Sequence, residues 1–203
     1  RGLGDVYKRQ HQREAYTALR ASQQSGRMAL LHGVTGSGKT EVYIHLIADA
    51  LERGETVLFL VPEIALTTQL IQRLSHHFAA FLHVYHSRFT RREQTETWLE
   101  VLGKGRPSPK LIVGPRSALF LPMQQLGLII VDEEHERFKQ YDPAPRYQAR
   151  DVAMWMAARD QAFCVLGSAT PSVETHWLTT QGRIDRVEMS ERYGGVMLPE
   201  IWC

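Results

Sequence analysis

Cysteine is nearly missing from this chain: Cys164 and Cys203 are the two among 203 residues. One sits in an apolar run and the other at the last position, so they build neither a disulfide framework nor a zinc site. A reducing cytoplasm is the expected setting. Long apolar stretches are missing too. Runs such as Val57 to Val61 fall far short of the roughly 18 residues of a spanning helix, and no membrane segment is expected. Neither sign of charge dominates: 24 Lys and Arg against 22 Asp and Glu leave a net charge of +2. Any contact with nucleic acid therefore has to come from local patches. There is no internal repeat and no low-complexity segment, which excludes solenoids and flexible linkers. What remains, with 43% hydrophobic and 23% charged residues, is a globular chain long enough for one full core and too short for two comparable ones.

What is present is concentrated in a few stretches. Gly33-Val-Thr-Gly-Ser-Gly-Lys39-Thr40 follows the apolar run Met28 to Leu31 and precedes a helical pattern from Glu41. Strand, glycine-rich loop and helix form the context in which this spacing is a phosphate-binding loop. Glycines let the backbone turn its N–H groups inward, toward a polyphosphate at a helix N-terminus. Gly33, Thr35, Gly36, Ser37 and Gly38 would cradle the phosphates of ATP. Lys39 would reach the β- and γ-phosphates, and Thr40 would hold Mg²⁺.

Taken in order, Gln12 to Ser22 reads as a short amphipathic helix, and the helix after the phosphate loop ends near Gly54. Thr56 to Val61 is a buried strand ended by Pro62, and Ile64 to Phe81 has helical spacing. A short strand at Leu82 to His86, a helix at Arg91 to Leu102 and a strand at Leu111 to Val113 follow. Leu128 to Val131 is another buried strand, Tyr147 to Ala158 a helix and Ala162 to Leu166 a strand. This alternation predicts an α/β fold, a parallel sheet with helices on both faces. Candidate chemistry recurs just past the last apolar residue of a strand, the edge where open α/β sheets bind ligands.

The second strong signal is Asp132-Glu133-Glu134-His135 after Leu128-Ile-Ile-Val. A buried strand delivers Asp132 to the sheet edge, where it can hold Mg²⁺ through water opposite Thr40. Glu133 can orient or deprotonate an attacking water. The implied chemistry is in-line phosphoryl transfer to water, with Lys39, Asp132 and Glu133 as its catalytic residues.

The ordered set GVTGSGKT, VPEIALT at 61–67, GPRSALF at 114–120, DEEH at 132–135 and GSATPS at 167–172 resembles the motor motifs of superfamily 2 helicases. The wording, including DPAPRY at 142–147, is most similar to the primosomal replication-restart helicases. The resemblance implies a RecA-like P-loop NTPase domain over residues 11–190, the first motor half of an enzyme that couples ATP hydrolysis to 3′ to 5′ DNA unwinding. It implies ATP and Mg²⁺ as cofactors. Single-stranded and forked DNA, primosome proteins and single-strand-binding protein are the implied partners. By position, it makes Gln12 the adenine-reading glutamine. Pro62, Glu63 and Thr67, and then Arg116 and Ser117, fall in motifs that face the DNA track. Ser168, Ala169 and Thr170 match the motif linking nucleotide state to the second motor half, and Glu134 and His135 fall in the switch. The loop 136–146 resembles an aromatic-rich loop that reports single-stranded DNA to the ATPase site. It offers Phe138, Lys139, Tyr141, Arg146 and, just beyond, Tyr147, with Arg137 and Arg150 alongside, and bases stack on aromatics for about 1–3 kcal/mol each.

Judged against that family, the zinc-binding cysteines, the N-terminal DNA-binding region and the second motor half with its arginine finger are not in this sequence. Arg1 to Gln10 lacks helix periodicity and the apolar core of a signal peptide, and is expected to be a non-native or disordered leader. Residues 191–203 read as the truncated start of a connection onward. The chain is expected to bind Mg·ATP and hydrolyse it poorly alone. Two alternatives stay open: a restriction-type DNA translocase, and a nucleotide-binding scaffold for primosome proteins. His76, His77, His83 and His86 are read as ordinary histidines rather than a metal cluster. Trp98, Trp155 and Trp177 are read as core or packing residues.

Overall fold

A parallel strand covered on both faces must be apolar at almost every position, and the apolar runs of this chain meet that demand. The computed structural model describes residues 3–34, 36–86, 89–104, 110–136 and 147–189. Along the chain these form α1 (Leu3–Gln24), β1 (Ala29–Gly33), α2 (Lys39–Glu52), β2 (Thr56–Leu60), α3 (Thr68–Phe78), β3 (Leu82–Val84) and α4 (Arg91–Val101). Then come β4 (Leu111–Gly114), β5 (Leu126–Val131), α5 (Ala149–Asp160), β6 (Phe163–Ser168), α6 (Val173–Thr180) and β7 (Asp185–Met189), with 3₁₀ turns at Glu63–Ala65 and Arg116–Phe120. The strands make one seven-stranded sheet in the order β3-β4-β2-β5-β6-β1-β7, and every pairing is parallel.

Side chains alternate across a strand, so the sheet divides the core in two. Val57 and Phe59 of β2 join Leu19 of α1, Tyr43 and Ile47 of α2 and Leu74 of α3 on one face. Leu58 and Leu60 join Val101 of α4 and Ala153, Met156 and Ala157 of α5 on the other. Each such fully buried large side chain is worth about 1.5–3 kcal/mol relative to exposure. The consequence for the site is the position of β6. It lies between β1 and β5, with Val165 paired to Ala29 on one side and Ile130 on the other. The ends of these three strands therefore open side by side.

Four expectations change. The first helix begins at Leu3 rather than at Gln12. Periodicity detects a buried stripe, not a helix as such. The added stretch has no proline to interrupt a helix. The helix expected from Ile64 splits, because Thr67 takes the N-cap position and its side chain accepts from Leu70 N at 3.3 Å. α6 and β7 are additions: Asp185-Arg-Val-Glu-Met189 is an edge strand whose buried residues alternate with charged ones. The three tryptophans are not core residues: Trp98, Trp155 and Trp177 are 44%, 62% and 54% exposed. α5 buries small residues instead, and Trp155 lies outside with the Arg159 guanidinium 5.2 Å from its ring centre. The segment 191–203 lies outside the described residues. Among the described residues no group of His, Cys, Asp and Glu is arranged to hold a metal, and no helix is long and apolar enough to cross a membrane.

Candidate nucleotide-binding and coupling site

The loop between β1 and α2 is built on backbone that only glycine adopts readily. Gly36 and Gly38 have φ of 80 and 92°, in the left-handed region. At Gly33 the requirement is space: a Cβ there would lie 2.7 Å from Ser37 Oγ. Lys39 is buried, and its Nζ donates to the Gly33 carbonyl at 2.7 Å. Ser37 Oγ is buried with no hydrogen-bond partner. A buried ammonium resting on a carbonyl beside an unsatisfied hydroxyl is a pair of donors suited to an anion. Thr40 follows in the first turn of α2, and Thr35 lies outside the described residues.

Asp132 continues the β5 ladder through its N–H to Leu60 O at 2.9 Å. Its carboxyl pKa is pushed up by burial and then by Glu133, against the opposing pull of the Lys39 ammonium. Lys39 and Asp132 therefore share one electrostatic pocket. The next residue, Glu133, has φ 50°, a left-handed backbone uncommon outside glycine. That turn sends its neighbours in different directions. Glu134 goes inward and is fully buried, accepting from Ser172 N at 2.8 Å, Ser172 Oγ at 3.0 Å and Thr175 Oγ1 at 2.8 Å. His135 turns to the β6 loop, its Nδ1 2.8 Å from Ser168 Oγ, which also accepts from Thr170 N at 3.0 Å. Asp132 and Thr40 carry oxygens of the type a hard cation takes, and Thr40 opens α2 directly after the phosphate loop.

Arg150 departs from expectation. It is not a cation for a nucleic-acid backbone but is buried, its Nη1 2.7 Å from Ser172 Oγ and 3.6 Å from Glu134 Oε2. A second feature, His32 on β1, has no sequence signal at all. Arg186 Nη2 lies 3.0 Å from His32 Nδ1, and an arginine can only donate. Nε2 then carries the ring proton, which points to Ala169 O at 3.3 Å. The Ser168–Thr170 loop is thus held from two sides, by His135 and by His32.

The other candidate residues lie at the same edge, over β2 and β4. Val61 N donates to Gly114 O at 3.0 Å, joining the two strand ends. Pro62 caps the turn that carries Glu63 and Thr67 follows it. Arg116 lies 5.5 Å from the centre of the Tyr147 ring, which meets Phe120 edge-on at 5.0 Å. Tyr147 therefore packs on the 3₁₀ turn, and burial raises its pKa. Ser117 Oγ and Gln12 Nε2 are buried without partners. Phe138, Lys139, Tyr141 and Arg146 lie outside the described residues.

These motifs, in this order on this sheet, define a helicase motor domain. Residues 9–177 match the DEAD/DEAH box helicase family, and the chain belongs to that family. It is similar to the replication restart protein PriA of Chlamydia muridarum, 51% identical over 148 residues that make 72% of this chain and 19% of the relative. The replication restart protein PriA of Rickettsia felis is 41% identical over 192 residues, 95% of this chain and 29% of the relative. The chain thus spans less than a third of either protein. Among solved structures, RecG bound to a three-way DNA junction superposes with a TM-score of 0.60 and 24% identity, over 94% of this chain and 24% of that one. The shared fold is the RecA-like one.

Proposed function

We propose that the chain is the ATP-binding motor half of a 3′ to 5′ DNA helicase acting in replication restart, in a reducing cytoplasm, with forked DNA and primosome proteins as partners. The observation that carries this is the buried Lys39 ammonium, hydrogen-bonded to Gly33 O, in one pocket with Asp132. Similarity to proteins named for replication restart supports the choice of DNA as substrate.

In this reading Lys39 exchanges the Gly33 carbonyl for the β- and γ-phosphates, and loop N–H groups take the remaining oxygens. Thr40 and Asp132 would hold Mg²⁺, which would supply positive charge to offset that of the phosphates. Glu133 orients water in line with the γ-phosphate and accepts its proton. Gln12 Nε2, buried without a partner, donates to the adenine edge. His135, Ser168 and Ala169 pass the state of the site to the β6 loop. Arginine fingers in related enzymes add about 10³–10⁵ in rate, and the reading places that residue in a second motor half. The chain alone binds Mg·ATP and turns it over slowly.

The test is titration with a fluorescent ADP analogue and Mg²⁺. Saturable binding that Lys39→Ala weakens at least tenfold is expected. Absence of saturable binding by the unsubstituted chain would overturn the reading.

A further inference from the structure

Tyr43 has a place in the site that the motor motifs do not give it. It is fully buried on the sheet-facing side of α2, where packing alone would be satisfied by phenylalanine. Its ring meets Phe59 of β2 edge-on, with centres 5.4 Å apart. Its hydroxyl passes the sheet edge and donates to Asp132 Oδ1 at 3.0 Å. Opposite stands Gly167 on β6. A Cβ built there overlaps the Tyr43 hydroxyl and comes within 2.9 Å of Asp132 Oδ1. Gly167 is therefore bare where tyrosine and aspartate meet, and its carbonyl accepts from Glu134 N at 3.0 Å. One point joins the helix of the phosphate loop, the acid turn and the strand that runs into Ser168.

We propose that Tyr43 is a positioning residue for the magnesium-holding carboxylate: its hydroxyl fixes the Asp132 side chain in the orientation that serves the cation. A carboxylate rotates freely about its last bond unless an oxygen is tied down, and outer hydrogen bonds of this kind set ligand orientation and basicity at metal sites. Tyr43 suits the task because its ring is clamped between helix and sheet, leaving the oxygen little freedom. Burial, and then the neighbouring Asp132, raise its pKa well above the ordinary tyrosine value. The hydroxyl keeps its proton and stays a donor. It occupies one lone-pair direction on Oδ1, and the carboxylate retains the others for water around a cation.

The inference rests on the nucleotide-site reading above, and its test separates the two. The 203-residue chain is titrated with Mg²⁺ at fixed fluorescent ADP analogue, and binding is read with and without the cation. Tyr43→Phe is expected to raise the half-saturating Mg²⁺ about tenfold, the range typical of outer-sphere substitutions, while cation-independent binding stays within twofold. In an Asp132→Ala background, which removes the acceptor, the same substitution should produce no further shift. Gly167→Ala pushes the hydroxyl away from the opposite side. It should raise the Mg²⁺ requirement in the same direction, and it provides the reading if Tyr43→Phe does not fold. An unchanged Mg²⁺ requirement in the variants, or a shift that persists without the Asp132 carboxylate, overturns the role of Tyr43 alone. Absence of nucleotide binding by the unsubstituted chain overturns the site itself.

Discussion

His135 Nδ1 and Ser168 Oγ lie 2.8 Å apart, joining the acid turn after β5 to the loop after β6. Thr170 N donates to the same oxygen at 3.0 Å, so one hydroxyl ties the acid turn to the backbone of the loop.

Ser168→Ala removes both of these bonds with little change in shape. Each is worth about 1 kcal/mol to stability and neither partner belongs to the phosphate loop, so nucleotide binding should stay within about threefold. On the proposed reading, stimulation of hydrolysis by single-stranded DNA should fall much further. Measuring both decides the matter: equal small losses would reduce Ser168 to a fold-supporting residue.

Glu133→Gln tests the chemistry. Glutamine fills the same space and tolerates the φ of 50° about as poorly as glutamate, so the turn should survive. Loss of a general base lowers rate by about 10²–10⁴, with nucleotide affinity little changed. Single-turnover hydrolysis is the measurement. Partner binding that persists in the inactive longer protein would separate a scaffold role from the motor.

Glu134→Ala should destabilise. It takes one of three carboxylates from Arg150, which keeps Asp151 and Glu174, and removes the acceptor for Ser172 N, Ser172 Oγ and Thr175 Oγ1. Each buried polar group left unsatisfied costs about 1–3 kcal/mol, visible as a fall in melting temperature of about 2–4 °C per kcal/mol. A change under 1 °C would contradict this.

Asp132→Asn should do the opposite at neutral pH. The carboxyl pKa is raised by burial and by Glu133, so the folded state holds the proton more tightly than the unfolded one. Its contribution to stability is complete below the unfolded value near 3.8 and is lost as pH rises through the folded one. Asparagine still accepts from Tyr43 and carries no charge. The melting temperature of the variant should therefore exceed that of the unsubstituted chain at pH 7, with the gap closing toward pH 4. A gap independent of pH would contradict this.

Much of the motor was legible because its parts are local. The phosphate loop, the buried strand ahead of Asp132 and the Gly54 turn, with φ 77°, are each carried by neighbouring residues. What escaped was set by distance or by environment. β7 carries alternating charges, so no apolar run announced it, and it exists because β1 offers it an unpaired edge. Arg150 looked like a surface cation because nothing in its neighbourhood reveals that Ser172 and Thr175 approach it across the fold. His32 is one histidine among nine, distinguished only by Arg186 and Ala169, both far along the chain. Trp155 reverses a rule of thumb for the same reason: α5 turns Ala153, Met156 and Ala157 inward and leaves the indole outside.

The placing of β1 between β6 and β7 has a consequence for how the molecule comes into being. The phosphate loop leaves the ribosome ahead of its frame, because the strand that launches it has no partner until Phe163–Ser168 and then Asp185–Met189 have emerged. Contacts that close such long loops form late. The nucleotide pocket therefore waits on strands made well after its own loop, and a chain halted between the two has no framed place to hold ATP.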